Sequence, residues 1–521
     1  MSKPLLFGKI DVNIPSSMER NMDMNHGMPG PETPFRIAIL GDFSGRANRG
    51  VFELALTNRK PLFVDRDNFT QVLEKLGVEI KLPILGKESP PVRIKFSELE
   101  DFHPDRLFEN LEVFQALRET RQGLKDPSTF AALSKDLQRK GKTPESYGTP
   151  VDTQKSFKNK SGQTTDNLLN QVLEETQGKT PEKESYRGSS EWDNFLQQIV
   201  KPHLVPKTHP QQAEMLSSVD AATGELMRMI LHHPEFQAIE AAWRSVYFLV
   251  SRLETDSKLK VYLLDISKAE LAADLGALED LRSTGIYKLL VEQAVETFGG
   301  EPWAVLAGNY TFGQGLEDIE LLGRMAKIAK AAGAPFIAAA SDKVLGCECL
   351  AETSDPDDWM KRSDTESSQT WETLRKLPES SYLGLILPRF LLRLPYGEKT
   401  DSIERFEFEE IPDAPNHNHY LWGNPSFVCV CLLGQMFIQY GWNFQPGIIQ
   451  DIEGLPLHVY KQEGDSITKP CAEVVFTEQA VEIILDKGIM PLLSYKNHDT
   501  IRLALSQSLS YPSTNLSGRW T

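Results

Sequence analysis

Several short stretches carry residue types that could do chemistry. Gly41-Asp42-Phe43-Ser44-Gly45-Arg46 follows an apolar run, as a phosphate-cradling loop would. It lacks the Gly-Lys-Ser/Thr ending that holds phosphates and magnesium, so it reads as a turn after a buried strand. Gly308-Asn309-Tyr310-Thr311-Phe312-Gly313-Gln314-Gly315 is also glycine-rich, but its glycines are not spaced as GxGxxG. It reads as a tight strand-to-helix connection. His417-Asn418-His419 offers two imidazoles near Asp413, with no further ligand set to complete a metal site, and reads as a surface loop. His232-His233 closes a long helical pattern before Pro234, where protonated imidazole favours a helix C-terminus. Cys347-Glu348-Cys349 and Cys429-Val430-Cys431 are spaced more tightly than zinc-binding pairs. The second pair lies in an apolar, helical run whose alternate residues face different ways, so these cysteines read as small buried hydrophobes. No GxSxG is present. These residues compose no catalytic set, and the expectation is a protein that is not an enzyme and has no cofactor or metal.

Composition bounds the remaining classes. A chain of 521 residues exceeds one ordinary core, so two or more domains are expected. Hydrophobic residues at 40% supply material for those cores. The net charge of -17 argues against nucleic acid or an anionic membrane as partner, since both call for a positive surface. Five sparse cysteines imply no disulfide framework and fit a reducing compartment. The start, MSKPLLFGKIDVN, is a poor signal peptide, and the apolar run Phe427 to Ile438 is too short to span a bilayer. A cytoplasmic protein is expected.

The elements that must position these residues fall in two units. Lys9 to Ile14 alternates polar and apolar residues as a half-buried strand does, with Ile10, Val12 and Ile14 on one side. A flexible connector follows to Pro34. Phe35–Leu40 (FRIAIL), Val78–Leu85 and Val92–Phe96 read as strands, and Asp67 can cap a helix ending at Gly77. Pro104 to Leu124 repeats apolar residues at helical spacing. Residues 135–166 are polar, rich in Gly, Pro, Ser and Lys, and cannot build a core. A short amphipathic helix over 165–177 follows, with Leu168, Leu169, Val172 and Leu173 on one face. Beyond about residue 191, long helical patterns (Glu214 to His232, Pro234 to Leu253, Leu316 to Ala332) alternate with strand-like runs. The runs are Leu259–Leu264, Trp303–Ala307, Phe336–Ala340 and Tyr382–Leu387. Such alternation gives an α/β (α+β) class, with mixed sheets flanked by helices and two units joined by a polar linker.

Two series of motifs resemble two proteins that work together. Pro34 to Arg46 (PFRIAILGDFSGR), FVDRDNF at 63–69, Ile94-Lys95-Phe96 and Asp101 to Asp105 resemble the small subunit of the type VI secretion contractile sheath (TssB, ImpB or VipA-like). Ile230 to Phe236 (ILHHPEF), Glu240 to Arg244 (EAAWR), Leu263 to Ser267 (LLDIS), Gly299 to Pro302, Ala334 to Ala340 (APFIAAA), Leu387 to Gly397 (LPRFLLRLPYG) and Trp422-Gly423-Asn424 are similar to the large subunit (TssC, ImpC or VipB-like). The resemblance divides the chain into a small-subunit-like domain at 1–138, a linker with its short helix at 139–190, and a large-subunit-like domain at 191–521. It also implies that the large subunit continues beyond Asn515-Leu516-Ser517, so this domain is expected to lack the family's C-terminal segment.

The resemblance implies a structural sheath component that polymerises around an inner tube (Hcp-like) and contracts to drive it outward. The implied partners are other sheath subunits, the tube, the baseplate and an AAA+ disassembly ATPase (ClpV-like), without nucleic acid or membrane insertion. The helix bearing Leu168, Leu169, Val172 and Leu173 occupies the place that the ATPase recognises in the family. An apolar stripe on a tethered helix suits a groove. Ile10, Val12 and Ile14 are the candidate for a strand donated between subunits. The alternative is an accessory sheath-binding module that does not polymerise by itself.

Overall fold

Phe35 to Gly41 is apolar at every position except Arg36, so it folds only where both of its faces are covered. In the computed structural model, which describes residues 7–10, 29–84, 90–126, 129, 212–359, 366–412, 415–462 and 464–520, it forms β1 (Phe35–Gly41). The rest of the N-terminal part supplies α1 (Arg46–Arg49), β2 (Leu62–Val64), α2 (Phe69–Leu76), β3 (Val78–Leu82), β4 (Val92–Phe96), α3 (Pro104–Asn110) and α4 (Gln115–Lys125). After residue 211 come α5 (Gln212–Leu231), α6 (Pro234–Arg252), β5 (Leu259–Asp265), α7 (Lys268–Gly276), β6 (Val305–Phe312), α8 (Leu316–Ala332) and β7 (Phe336–Ala340). They are followed by α9 (Glu366–Arg375), β8 (Leu383–Leu387), β9 (Phe390–Leu391), β10 (Trp422–Gly423), α10 (Ser426–Tyr440), β11 (Asp451–Ile452), β12 (His458–Gln462), β13 (Asp465–Lys469), α11 (Glu478–Asp486), β14 (Ile489–Ser494) and β15 (Ile501–Leu503).

The main sheet runs β11-β15-β14-β8-β7-β6-β1-β5-β2. Its centre, from β14 to β5, is parallel, and antiparallel strands close both ends. Strand β1 lies between β5 and β6, although the whole polar stretch separates it from them in sequence. The sheet therefore does not follow the sequence boundary at 135–166. The side-chain alternation of β1 feeds two cores. Phe35, Ile37 and Ile39 join the one beneath α5, α6 and α10, together with the N-terminal helices. Ala38 and Leu40 join the one beneath α7, α8 and α11. The result is a helix–sheet–helix sandwich, the mixed α/β class expected.

Local readings needed three adjustments. Asp67 does not cap α2, because Asp65 accepts from the amides of Asp67 and Asn68 and leaves the helix to start at Phe69 without a side-chain cap. The periodic stretch from Pro104 to Leu124 is broken at Leu111, whose extended backbone lets Leu111, Val113 and Phe114 all turn inward. The glycine-rich segment after Gly308 is mostly strand, with β6 continuing to Phe312 and only Gly313 to Gly315 left as the connection.

Phe35 stacks on Phe437 at 4.7 Å and lies against Trp442, Phe444 and Trp520. Phe35→Ala is expected to destabilise by about 3–5 kcal/mol. A urea titration should show this as a lower midpoint with an unchanged slope.

Candidate functional site

The seam where β1 enters the sheet is built by the motifs singled out in the sequence. Its register pairs Phe35 with Leu259 through to Gly41 with Asp265 on one side, and Ile37 with Val305 through to Leu40 with Gly308 on the other. Both edges of β1 are therefore satisfied by strands from beyond the polar stretch. At its end the chain turns through Gly45, whose φ of +73° and close approach to the Glu79 carbonyl leave no room for a side chain.

That turn is held by two buried carboxylates. Asp265 Oδ1 accepts from the amides of Phe43 (2.9 Å) and Ser44 (3.1 Å), and its Oδ2 accepts from Ser44 Oγ (2.8 Å) and Arg46 Nη1 (3.1 Å). Glu270 Oε1 accepts from Arg46 Nε (3.1 Å), the Glu53 amide (2.9 Å) and Arg59 Nη2 (3.2 Å). Glu270 also completes a capping box with Ser267 at the start of α7. Burial alone would raise its pKa, but the Ser267 and Glu53 amides and Arg46 outweigh burial and hold the carboxyl below its ordinary value. Trp243 Nε1 donates to the Phe43 carbonyl (2.8 Å).

A second buried network lies behind Trp243. Arg393 donates through Nε to Glu240 (2.8 Å) and through Nη1 to Glu410 (2.7 Å). Arg244 bridges Glu240 (2.7 Å) and the Tyr396 hydroxyl (2.9 Å). His103, from the N-terminal part, packs edge-on against Tyr396. At the periphery Arg121 pairs with Asp220, and Asp105 accepts from the amides of Glu404 and Arg405. GDFSGR, EAAWR, LLDIS and LPRFLLRLPYG thus meet in space. Glu410 and Glu53 were not anticipated; Glu270 was legible only as the last residue of the Ser267 capping box.

Other readings change. His417 is not on a surface loop: its Nε2 lies 2.9 Å from Glu473 Oε1, and its ring stacks on Trp422. His233 serves the following helix, with Nδ1 accepting from the Glu235 amide at 3.2 Å, and burial lowers its pKa, so it acts as neutral imidazole and not as a cation on α5. Cys429 and Cys431 are buried in α10, as their apolar neighbours required. Lys9 makes a parallel bridge to Asp280, and Ile10 packs against the second core, while Val12 and Ile14 lie outside the described residues. Leu168, Leu169, Val172 and Leu173 also lie outside them.

A family model for VipB, the EvpB-type tail sheath N-terminal domain, matches residues 213–510, more than half of the chain. The chain belongs to the type VI secretion tail sheath family. A second model, type VI secretion system VipA, matches residues 19–142. The chain is thus a fused sheath protein, VipA-like before the polar stretch and VipB-like after it. The type VI secretion system sheath protein TssC1 of Pseudomonas aeruginosa is 38% identical over 304 residues, covering 57% of this chain and 61% of that relative. The chain therefore spans less than two thirds of the sheath protein it matches. The family is one of structural sheath proteins. Among the described residues no helix is long and apolar enough to cross a membrane. The seam is the surface on which the VipA-like and VipB-like segments join.

Removing Arg46 strands two buried carboxylates, so Arg46→Met is expected to cost about 3–5 kcal/mol, far more than a surface charge would. Chemical denaturation of this variant beside Arg49→Met measures the difference. Acid acts on two other buried carboxylates in a defined window. Glu410 and Glu473 would be raised by burial, but Arg393 with His232 for the first, and His417 with Arg389 for the second, bring both down to about 2 from 4.5. Their contribution is present above pH 4.5 and is lost as pH falls toward about 2. Unfolding free energies measured across that range should fall, with a shallower slope in Glu410→Gln.

Proposed function

We propose that this chain is a self-paired sheath protomer that polymerises around an inner tube and contracts to drive the tube outward. Residues 1–138 serve as the small-subunit-like part, 139–190 as the tether and 191–521 as the large-subunit-like part. The observation that carries this reading is β1, which one segment provides and the other completes on both edges. Such a seam leaves the segments a single rigid unit that can repeat in a helical lattice through heterologous contacts. Contraction is then a change between two packings of that unit, with the seam intact.

Within this proposal, Leu168, Leu169, Val172 and Leu173 form the handle for a hexameric AAA+ ATPase that dismantles spent sheath in the cytoplasm. Ile10, Val12 and Ile14 remain the candidate strand exchanged between copies. The inner tube and the baseplate are the further partners. Negative-stain electron microscopy of the purified chain, with and without an inner-tube protein, tests the reading. Helical tubes are expected, and a discrete particle under both conditions would favour an accessory module that binds sheath without polymerising.

A further inference from the structure

We propose that the turn from His417 to Tyr420 is an acid-released clamp that fastens the β12–β13 hairpin to the body of the VipB-like segment. The turn touches four separate parts of the chain through its side chains and backbone. His417 reaches Glu473 through Nε2 (2.9 Å) and faces Lys469 Nζ through Nδ1 (3.4 Å). His419 stacks on His232, at the end of α5, with centroids 4.0 Å apart and planes 7° apart. Tyr420 places its hydroxyl 2.7 Å from Nδ1 of His458, the first residue of β12. Gln237 of α6 donates to the Asn418 carbonyl, and Trp422 donates to that of His417. Among the described residues the two strands of the hairpin form a sheet of their own, from His458 opposite Lys469 to Gln462 opposite Asp465. An isolated two-stranded hairpin is marginal in water, and this clamp adds side-chain contacts to the backbone bonds at its two ends, from Leu455 to Asp499 and from Leu391 to Cys471.

The Tyr420–His458 and Lys469–His417 contacts are made with neutral imidazole, whereas Glu473 beside His417 Nε2 would hold an added proton and opposes release there. The Tyr420 hydroxyl, whose pKa burial raises, keeps its proton and can donate to His458 Nδ1 while that ring is neutral. Lys469 can donate to His417 Nδ1 only while that nitrogen carries a lone pair. The rings of His419 and His232 stack face to face, so charges on both would repel.

The charged groups around the rings are few. His232, Glu410 and Arg228 face His419, while Glu410, Tyr420 and Tyr460 surround His458. Burial is the largest influence on both and lowers both pKa values from 6.5, with Glu410 opposing. Released, His419 and His458 titrate near the ordinary value, and docked they titrate below it. Docking is therefore favoured in full above pH 6.5 and weakens as the pH falls through the lowered values.

Amide hydrogen exchange of the full-length protein at pH 7.5 and 5.5, corrected for intrinsic rates, reads the clamp directly. Peptides spanning 415–423 and 457–470 should lose protection on acidification to pH 5.5, by at most about tenfold for each of His419 and His458. Peptides from β7 should not change. His419→Phe, which keeps a flat ring on His232, and His458→Gln should each flatten that dependence, with circular dichroism confirming the fold. Equal protection at both pH values in the wild type, or the same loss in both variants, would overturn the proposal. Should either variant fail to fold, carbon-13 labelling of the wild-type histidines decides, and His419 and His458 titrating at or above 6.5 would overturn it too.

Discussion

A strand in the middle of a parallel sheet must hand its amides and carbonyls to neighbours on both sides, and the rest of this structure depends on that constraint acting on β1. The strand belongs to the VipA-like segment, while both neighbours belong to the VipB-like one. Without β1, the facing edges of β5 and β6 would lie open within an otherwise covered sheet. Without β5 and β6, β1 would be a bare apolar ribbon. Neither segment can bury its polar backbone alone, so pairing is part of folding.

The electrostatics of the seam follow from that depth. Asp265 and Glu270 lie where water does not reach, and such charges are tolerated only when cations and amides replace their hydration. Arg46 serves both, and the amides of Phe43, Ser44 and Glu53 complete the shells. Arg393 plays the same part between Glu240 and Glu410. Replacing such groups with apolar ones need not reduce stability, so their use here points to specificity: a wrong register would leave a buried charge bare. For a sheath component, that makes the joint between the segments unambiguous.

Much of the fold was legible because burial leaves a mark in the sequence. FIAAA at 336–340 and the helix from Leu316 to Ala332 were read at their observed bounds, since runs covered on both faces and helical stripes both carry a period. Boundaries failed where a side chain outside the pattern decided, as with Asp65 ahead of α2 and the break at Leu111. The polar nature of His417 suggested solvent, but Glu473, distant in sequence, gave it a buried partner.

The sequence by itself determined the strands and helices whose periods are strong, that two sheath-like motif series share one chain, and that an acidic, cysteine-poor composition argues against a nucleic-acid binder or a disulfide scaffold. Only the tertiary structure decided that β1 crosses into the sheet of the other segment and that Arg46, Asp265 and Glu270 close one network. Local pattern reports what a residue must be buried against in kind, apolar or polar. It cannot report which distant residue does the burying, because that choice is made by long-range backbone pairing and by the need to neutralise each charge that pairing takes out of water.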